Sequence, residues 1–268
     1  MAGRIGFAKI NDKLINLKTS MNRAEFRFHA ELNDFLPSES KNATLRHQFP
    51  NHPSIKDSLE SFGIPHPEVD TIAVNGKSVD FSYRVQDGDR CDIYPISQSV
   101  ELSPRVRLRP QPEPRFVLDI HLGKLAGFLR MLGFDTLYRN DYPDEELARV
   151  SSTENRILLT RDIGLLKRGI VTHGYWVRST NPHKRLEEVL RRFELFDTIT
   201  PFSRCIHCNG LLEAVTKTSI LERLEPKTRE HYDEFRRCSS CDKIYWKGSH
   251  YEKMQEFIDG VRGDVLLK

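Results

Sequence analysis

Paired cysteines are the residues of this sequence whose spacing most directly indicates chemistry. Cys205 and Cys208 form one C-x2-C pair, Cys238 and Cys241 form a second, and 29 residues separate the two pairs. Four thiolates make a closed tetrahedral Zn²⁺ site, which is structural because no position remains for a substrate. A redox pair is the alternative interpretation. With four thiolates available, we expect His207 to be a bystander rather than a ligand.

Carboxylates follow the ends of predicted strands in the middle of the chain. Asp119 lies at the end of the strand predicted in FVLDI, Asp162 directly follows ILLT, and Asp141, Asp144 and Glu145 follow FDTLYR. In an open parallel sheet, ligands bind outside the carboxyl ends of the strands. Acids that converge there repel one another and need a cation, and oxygen ligands suit Mg²⁺ or Mn²⁺. Helix capping is the alternative for each acid taken singly.

The same strand pattern places Thr160 and Asp135. Thr160 lies two residues before Asp162, and so on the same face of its strand, where it could orient a carboxylate or a metal-bound water or simply fill the face. Asp135 begins the second predicted strand, so we expect it at the opposite rim and exclude it from the site. A hard divalent ion supplies the activated water and the charge neutralisation that phosphodiester hydrolysis needs.

The segment that carries these acids alternates strands with helices. The predicted strands are FVLDI, FDTLYR, RILLT and GYWVRS, and the predicted helices are HLGKLAGFLRMLG, PDEELARVSS, GLLKR and PHKRLEEVLRRF. Strict βα alternation at this spacing predicts a parallel sheet. The run ILLT is typical of a strand buried on both faces, and burial of that kind would hold Asp162 in place against repulsion from its neighbours.

The N-terminal part of the chain predicts a small α+β domain. AEFRFHAEL, DTIAVNGKSVDF and GDRCDIYPI are strand-like, SIKDSLESFG is helical, and the Asn-Gly of AVNGKSV predicts a hairpin. This segment resembles the ubiquitin-like β-grasp fold, particularly its sulfur-carrier branch. The last strand runs on into SQSVELSP without a Gly-Gly tail, which argues against activation of a terminal carboxylate. We expect Cys91 to be a buried core residue rather than a reactive thiol.

Composition is that of a soluble globular protein. The 268 residues are 38% hydrophobic and 29% charged, with a formal charge of +3. Charges interrupt every apolar run near the N-terminus, so neither a signal peptide nor a membrane span is predicted, and we expect a cytoplasmic protein. Basic clusters are either RNA contacts or solvated faces, and they occur at 105–110, 183–185, 191–192 and 236–237.

A family resemblance joins these motifs. FVLDIHLGKLAGFLRMLGFDT, DYPDEEL, ILLTRD and RC-x-x-C...RRC-x-x-C...IYWKGSH together resemble the PIN-like ribonuclease domain at the C-terminus of the Mut-seven exonucleases, over residues 116–254. The resemblance implies an α/β/α sandwich, RNA as the substrate and an acidic metal site of Asp119, Asp144 and Asp162. A fourth acid is often found after the next strand, but this stretch reads VRSTNP and offers only Asn181.

Several residues are expected to contact RNA in a protein of this kind. Lys124, Arg130 and Arg161 are candidates for phosphate contacts, with a surface or snorkelling role as the alternative. Trp246 or Tyr245 could stack on a base of single-stranded RNA, with packing against the zinc module as the alternative, and His250 could reach the scissile phosphate.

The sequence therefore predicts three folded units. Residues 1–21 form an extension, 22–97 a ubiquitin-like β-grasp domain, 98–115 a Pro/Arg linker, 116–200 a PIN-like α/β/α nuclease domain, and 201–268 a zinc ribbon with a C-terminal helix. We expect a metal-dependent ribonuclease that acts with Mg²⁺ or Mn²⁺, carries structural Zn²⁺ and binds single-stranded RNA or structured RNA with accessible single strands. The β-grasp domain could also bind a protein partner. The alternative is a non-catalytic RNA-binding or adaptor protein.

Overall fold

A computed structural model describes residues 21–98, 100–110 and 112–266, with the side chains of the last helix described as far as Val261. The predicted N-terminal extension lies outside the described residues except for Met21. Within the part of the chain that is described, no helix is both long and apolar enough to cross a membrane.

The N-terminal domain is a five-stranded mixed sheet covered by one helix. Its strand order is β2-β1-β5-β3-β4, with β1 parallel to β5 and the other neighbours antiparallel. The elements are β1 (Asn22–Phe28), β2 (Thr44–Phe49), α1 (Ile55–Ser61), β3 (Val69–Val74), β4 (Lys77–Val79) and β5 (Arg90–Pro95).

The predicted hairpin and core of this domain are confirmed. Asn75 and Gly76 join β3 to β4 with φ of 50° and 79°, the left-handed conformations that this two-residue turn requires. Cys91 is 2% exposed in β5, and burial raises the pKa of its thiol to about 12, as a core position implies. Strand β2 was not predicted, because only Leu45 and Phe49 of its six residues are apolar.

The central domain is a four-stranded parallel sheet in the order β7-β6-β8-β9. The predicted βα alternation is confirmed throughout this segment. The elements are β6 (Phe116–Leu118), α2 (Gly123–Met131), β7 (Thr136–Tyr138), α3 (Asp144–Thr153), β8 (Ile157–Thr160), α4 (Ile163–Leu166), β9 (Gly174–Trp176) and α5 (Pro182–Arg192).

Helices cover both faces of this sheet because successive side chains of a strand point to opposite faces. Phe116 and Leu118 of β6 belong to the core that includes α2 and α5, whereas Val117 belongs to the core that includes α3 and α4. Strand β8 divides in the same way, with Leu159 on the first face and Leu158 on the second. The central strands are therefore buried on both sides, and only their ends are available for chemistry.

The C-terminal segment contains a three-stranded antiparallel sheet and a long helix. Its strands are β10 (Leu212–Val215), β11 (Phe235–Cys238) and β12 (Ile244–Trp246), with α6 (Pro226–His231) before β11 and α7 (Ser249–Leu266) after β12. Ile258 of α7 is fully buried in the core of the parallel sheet, so this helix attaches the segment to the central domain.

The β-grasp domain covers the free edge of the parallel sheet. Strand β9 is an edge strand, and the backbone N–H of Trp176 donates to Glu68 Oε1 at 2.6 Å instead of to a further strand. Arg178 joins the same contact, since its guanidinium donates to Asp34 at 2.8 Å and lies 3.5 Å from Glu68 Oε2. Phe35 packs on Trp176 with ring centroids 5.2 Å apart. An edge that could pair with another chain is thereby protected.

Asp135 lies at the opposite rim from the strand ends, as predicted, and organises a charged cluster there. Its Oδ1 accepts hydrogen bonds from Arg156 at 2.7 Å and from Asn209 at 2.8 Å, while Arg115 and Arg204 lie within 4 Å of Oδ2. Burial alone would raise the pKa of Asp135, but the hydrogen bonds outweigh burial and hold the pKa below its ordinary value. The cluster ties the parallel sheet to the cysteine segment.

We expect Asp135→Asn to destabilise the protein by about 2 kcal/mol at pH 7, because a charged partner of buried Arg156 is lost. The pKa of Asp135 is lowered on folding, so its contribution is present above the unfolded pKa of about 4 and disappears as the pH falls through the folded value. Urea denaturation at pH 7 and pH 3 checks this. The difference from the parent should shrink at pH 3, and exposed Asp197→Asn should match the parent at both.

Candidate functional site

Asp119 is the most constrained carboxylate at the carboxyl ends of the parallel strands. It follows β6, is 4% exposed, and accepts three hydrogen bonds. Oδ1 accepts from the backbone N–H of His121 at 2.8 Å, and Oδ2 accepts from the Arg161 N–H at 2.7 Å and from the Thr160 hydroxyl at 2.5 Å. A carboxylate has about four lone-pair sites, so one site on Oδ1 remains for a further ligand.

Thr160 connects Asp119 to Asp162. Its hydroxyl donates to Asp119 and accepts the backbone N–H of Asp162 at 2.8 Å, and its side chain is fully buried at the end of β8. Thr160 therefore orients a carboxylate, which is one of the two roles considered for it. Asp162 is exposed and uses Oδ1 to accept the Gly164 N–H at 2.7 Å at the start of α4. Its Oδ2 keeps its ligand capacity.

The remaining polar candidates are Asp144 and Asn181. Asp144 is exposed at the first position of α3, and Asn181 caps α5 by accepting the N–H groups of His183 and Lys184. Of the described residues, no three acids bring their oxygens within 4.8 Å of one another. The three-acid metal site therefore stays a prediction. Of its three acids, Asp119 and Asp162 follow neighbouring strands of the sheet.

Arg185 is a residue of this edge that the sequence did not single out. Its guanidinium donates to the carbonyl of Ser179 at 2.8 Å and to that of His121 at 3.1 Å. It thus clamps the loop after Asp119 to the start of α5. The basic run 183–185 was the available signal, but charge alone did not indicate which of its residues faces the strand ends.

Two of the predicted phosphate contacts are engaged elsewhere. Arg130 is 5% exposed and donates to the carbonyls of Thr136, Ile206 and His207, which joins α2 to the cysteine segment. Arg161 donates through Nη1 to the carbonyls of three consecutive residues after β9, Val177, Arg178 and Ser179. Both guanidinium groups fit structural roles better than phosphate contact. Lys124 is exposed near the start of α2 and stays a candidate.

The four cysteines converge as predicted. Their Sγ atoms all lie within 4.8 Å of one another, with Cys205 and Cys241 3.7 Å apart and Cys208 and Cys238 3.4 Å apart. A tetrahedron with Zn–S bonds of about 2.3 Å has edges of roughly 3.8 Å, so the thiols fit this ion. The group can hold one Zn²⁺.

Backbone geometry around the cysteines supports thiolate ligands. The Cys238 sulfur accepts the N–H groups of Ser240 and Cys241, each at 3.4 Å, and the Tyr245 hydroxyl lies 3.0 Å from the Cys205 sulfur. Gly210 has no room for a side chain, because a Cβ there would lie 2.8 Å from the Cys238 sulfur. Donors directed at sulfur orient the ligands and stabilise their negative charge.

A cleft of about 1380 Å³ separates the start of α2 from the cysteine segment. Tyr138 lies at one end, and its hydroxyl donates at 3.2 Å to the carbonyl of Ile120, the residue after Asp119. Trp246 is 40% exposed and lines the cleft together with exposed His250. The other aromatic and basic residues of its wall are Tyr232, Tyr245, Tyr251, Lys227, Lys243, Lys253, Arg130, His207 and His231. Through Tyr138 the cleft thus adjoins the loop that follows Asp119, and the rest of its wall is largely aromatic and basic.

Comparison with known families accounts for most of the chain. Residues 114–258, more than half of the sequence, match the family model described as the Mut7-C RNAse domain. The chain belongs to the Mut7-C RNAse domain family. Residues 21–101 match the family model described as Mut7-C ubiquitin. Searches of curated proteins and of solved structures found no match.

Membership of the Mut7-C family agrees with the architecture. The ubiquitin-like match ends after β5, and the RNAse match begins before β6 and ends within α7, so it includes the cysteine segment. The resemblance noted from the sequence is therefore confirmed. A nuclease-like role follows from the family, whereas the identity of any catalytic ion does not.

We expect one zinc ion per chain, because four converging thiols match its geometry. Cys205→Ser should lose the ion and melt at a lower temperature, with early proteolysis between residues 201 and 250. Elemental analysis and limited proteolysis check this. Cys91→Ala, which alters a cysteine of the β-grasp core, should retain full zinc, and a parent protein without zinc would contradict the prediction.

Proposed function

We propose that this Mut7-C family protein is a metal-dependent ribonuclease whose reaction takes place at the carboxyl ends of β6 and β8. The observation that carries the proposal is the pair Asp119 and Asp162, on neighbouring strands and joined through the Thr160 hydroxyl. Strand order reverses direction between β6 and β8, which is where α/β sheets bind ligands.

Asp119 and Asp162 would hold Mg²⁺ or Mn²⁺, with exposed Asp144 as the third ligand. Their oxygens suit a hard cation, and each of the two strand-end carboxylates keeps lone pairs after its hydrogen bonds. The ion supplies an activated water and neutralises charge on the phosphate. Thr160 keeps Asp119 oriented, and Arg185 holds the following loop against α5.

RNA would enter along the cleft beside the cysteine segment. Trp246 offers an exposed ring for base stacking, and lysines of the wall offer cations to the backbone. The cleft reaches Tyr138, next to the loop that follows Asp119. A single strand fits this combination of aromatic and basic groups better than a duplex, because the bases of a duplex are not available for stacking.

A non-catalytic RNA-binding protein is the second candidate. One observation favours it: Asp119 and Asp162 both cap short helical turns, and capping alone would explain their positions. Under this proposal the cleft binds RNA and the acids are structural.

Asp162→Asn distinguishes the two candidates. Asparagine keeps the cap of α4 but removes a ligand charge, so cleavage of single-stranded RNA should fall roughly a hundredfold or more while the melting temperature barely changes. Asp119→Asn should also abolish cleavage but lower stability, because an amide cannot accept all three hydrogen bonds. Asp144→Asn should have a smaller effect.

Exposed Asp80 provides the control, since its carboxylate accepts the Ser82 N–H at 2.8 Å much as Asp162 accepts that of Gly164. Asp80→Asn should cut RNA like the parent. The assays would use Mg²⁺, Mn²⁺ and no divalent ion. Unchanged cleavage in Asp162→Asn, or a parent that binds RNA but never cuts it, would leave the adaptor as the answer.

Trp246→Ala tests the cleft. Loss of one stacked base should weaken binding of a single-stranded oligonucleotide about tenfold or more, without release of zinc. Fluorescence anisotropy measures the affinity. Leu211→Ala removes another exposed apolar side chain of the same segment, 53% exposed and outside the cleft, and should leave binding unchanged. Equal affinity of both variants would rule out stacking on Trp246.

A further inference from the structure

A second cavity, of about 440 Å³, lies where the linker crosses between the β-grasp domain and the parallel sheet. It opens beside Ile157 and Gly174, the first residues of β8 and β9, so it lies at the opposite rim from Asp119 and Asp162. Strands of about four residues place the two rims on the order of 13 Å apart. The cavity is therefore separate from the proposed catalytic edge.

Arginines dominate the charge of this cavity. Four line it, Arg105, Arg107, Arg109 and Arg192, against two carboxylates, Asp70 and Glu194. Asp70 is already bonded to Arg105. His173 adds no charge near neutral pH, because burial and the positive charge of Arg109 lower its pKa to about 4.

Arg192 is the least satisfied of these side chains. Its Nε and Nη1 atoms are buried and have no hydrogen-bond partner within the described residues. Its guanidinium lies over the rings of Tyr175 and Phe193, with centroids 5.3 and 5.6 Å away, which hold it in place without accepting its hydrogens in a conventional hydrogen bond. An unpaired buried cation costs stability unless something supplies acceptors.

Arg109 adds a second buried cation next to Arg192. Its Nη atoms donate to the carbonyls of His66, Pro67 and Val69, but no carboxylate of the described chain lies within ion-pair distance. Burial and the neighbouring charge of Arg192 lower the pKa of Arg109 to about 10. The two guanidinium groups therefore repel each other across a space with little compensating charge.

Glu68 is a further internal counter-charge for Arg192, and it is already engaged. It accepts the Trp176 N–H, and its other oxygen lies 3.5 Å from Arg178, which pairs more closely with Asp34. Burial raises the pKa of Glu68, against the opposing effect of Arg178 and Arg192. One carboxylate that is already engaged does not neutralise Arg109, Arg178 and Arg192 together.

We propose that this cavity binds the phosphate group of a small phosphorylated molecule, of up to mononucleotide size. The phosphate would accept from Arg192 and from exposed Arg107, while Pro112, Pro114, Leu195 and Phe193 supply apolar wall for the rest of the ligand. Arginine's planar fork matches phosphate oxygens, and partial burial strengthens the contact. Because the linker forms one wall, binding would also fasten the β-grasp domain to the nuclease domain.

Calorimetry and thermal melting of the full chain in magnesium-free buffer test this proposal, with inorganic phosphate, adenosine monophosphate and adenosine as probes. We expect phosphate-bearing probes to bind and raise the melting temperature, and adenosine to do neither. Arg192→Met should remove the response, and it should not lower the melting temperature of the unliganded protein, because it replaces an unsatisfied cation by an apolar chain. Arg107→Gln, on the surface, should weaken binding roughly tenfold without affecting folding.

Arg191→Gln is the matched control, since Arg191 is the preceding residue of α5, is exposed and pairs with Glu187 at 2.9 Å. It should bind like the parent. Tighter binding of adenosine monophosphate than of phosphate would identify a nucleotide as the ligand, and equal binding would identify free phosphate. No binding of either probe to the parent, or unchanged binding in both Arg192→Met and Arg107→Gln, would overturn the proposal.

Discussion

One buried hydroxyl group sets the geometry of the edge where chemistry is proposed. Thr160 donates to Asp119 at the end of β6 and accepts from the backbone of Asp162 beyond the end of β8. Both strands are covered on two faces, so neither can shift without exposing its core residues. The positions of the two carboxylates thus depend on the packing of the whole sheet, and only at the strand ends does the sheet present polar groups.

Capping and metal binding are compatible roles for these acids. Asp119 uses three of about four acceptor sites and Asp162 uses one in its contacts with backbone and hydroxyl groups. Donors around Asp119 fix its rotamer, so a cation would not have to order this side chain. Asp162 is exposed and keeps most of its acceptor sites for a further ligand. Asp119, buried and fixed in orientation, and Asp162, exposed and with free lone pairs, together suit a hard ion.

Local patterns in the sequence predicted most of the architecture. Short apolar runs between helical segments predicted the parallel sheet, Asn75–Gly76 predicted the hairpin of the N-terminal sheet, and the spacing of the cysteines predicted their convergence despite the 29-residue spacer. Strand β2 was not predicted because few of its residues are apolar. Residues that meet between the domains, such as Glu68 and Trp176, are far apart in the sequence, so no local pattern predicts their contact.

The roles of the arginines were predicted least well from the sequence, and the reason is physical. A guanidinium group has five donors, so it can satisfy several backbone carbonyls at once in loops that lack strand partners. Arg109, Arg130 and Arg161 each do this, and Arg178 links the domains through carboxylates as well. A cluster of arginines in the sequence therefore indicates hydrogen bonds that hold loops in place as much as it indicates RNA binding. The cleft beside the cysteines offers lysines to a nucleic acid, and Arg192 stands apart because its buried Nε and Nη1 atoms have no hydrogen-bond partner within the described residues.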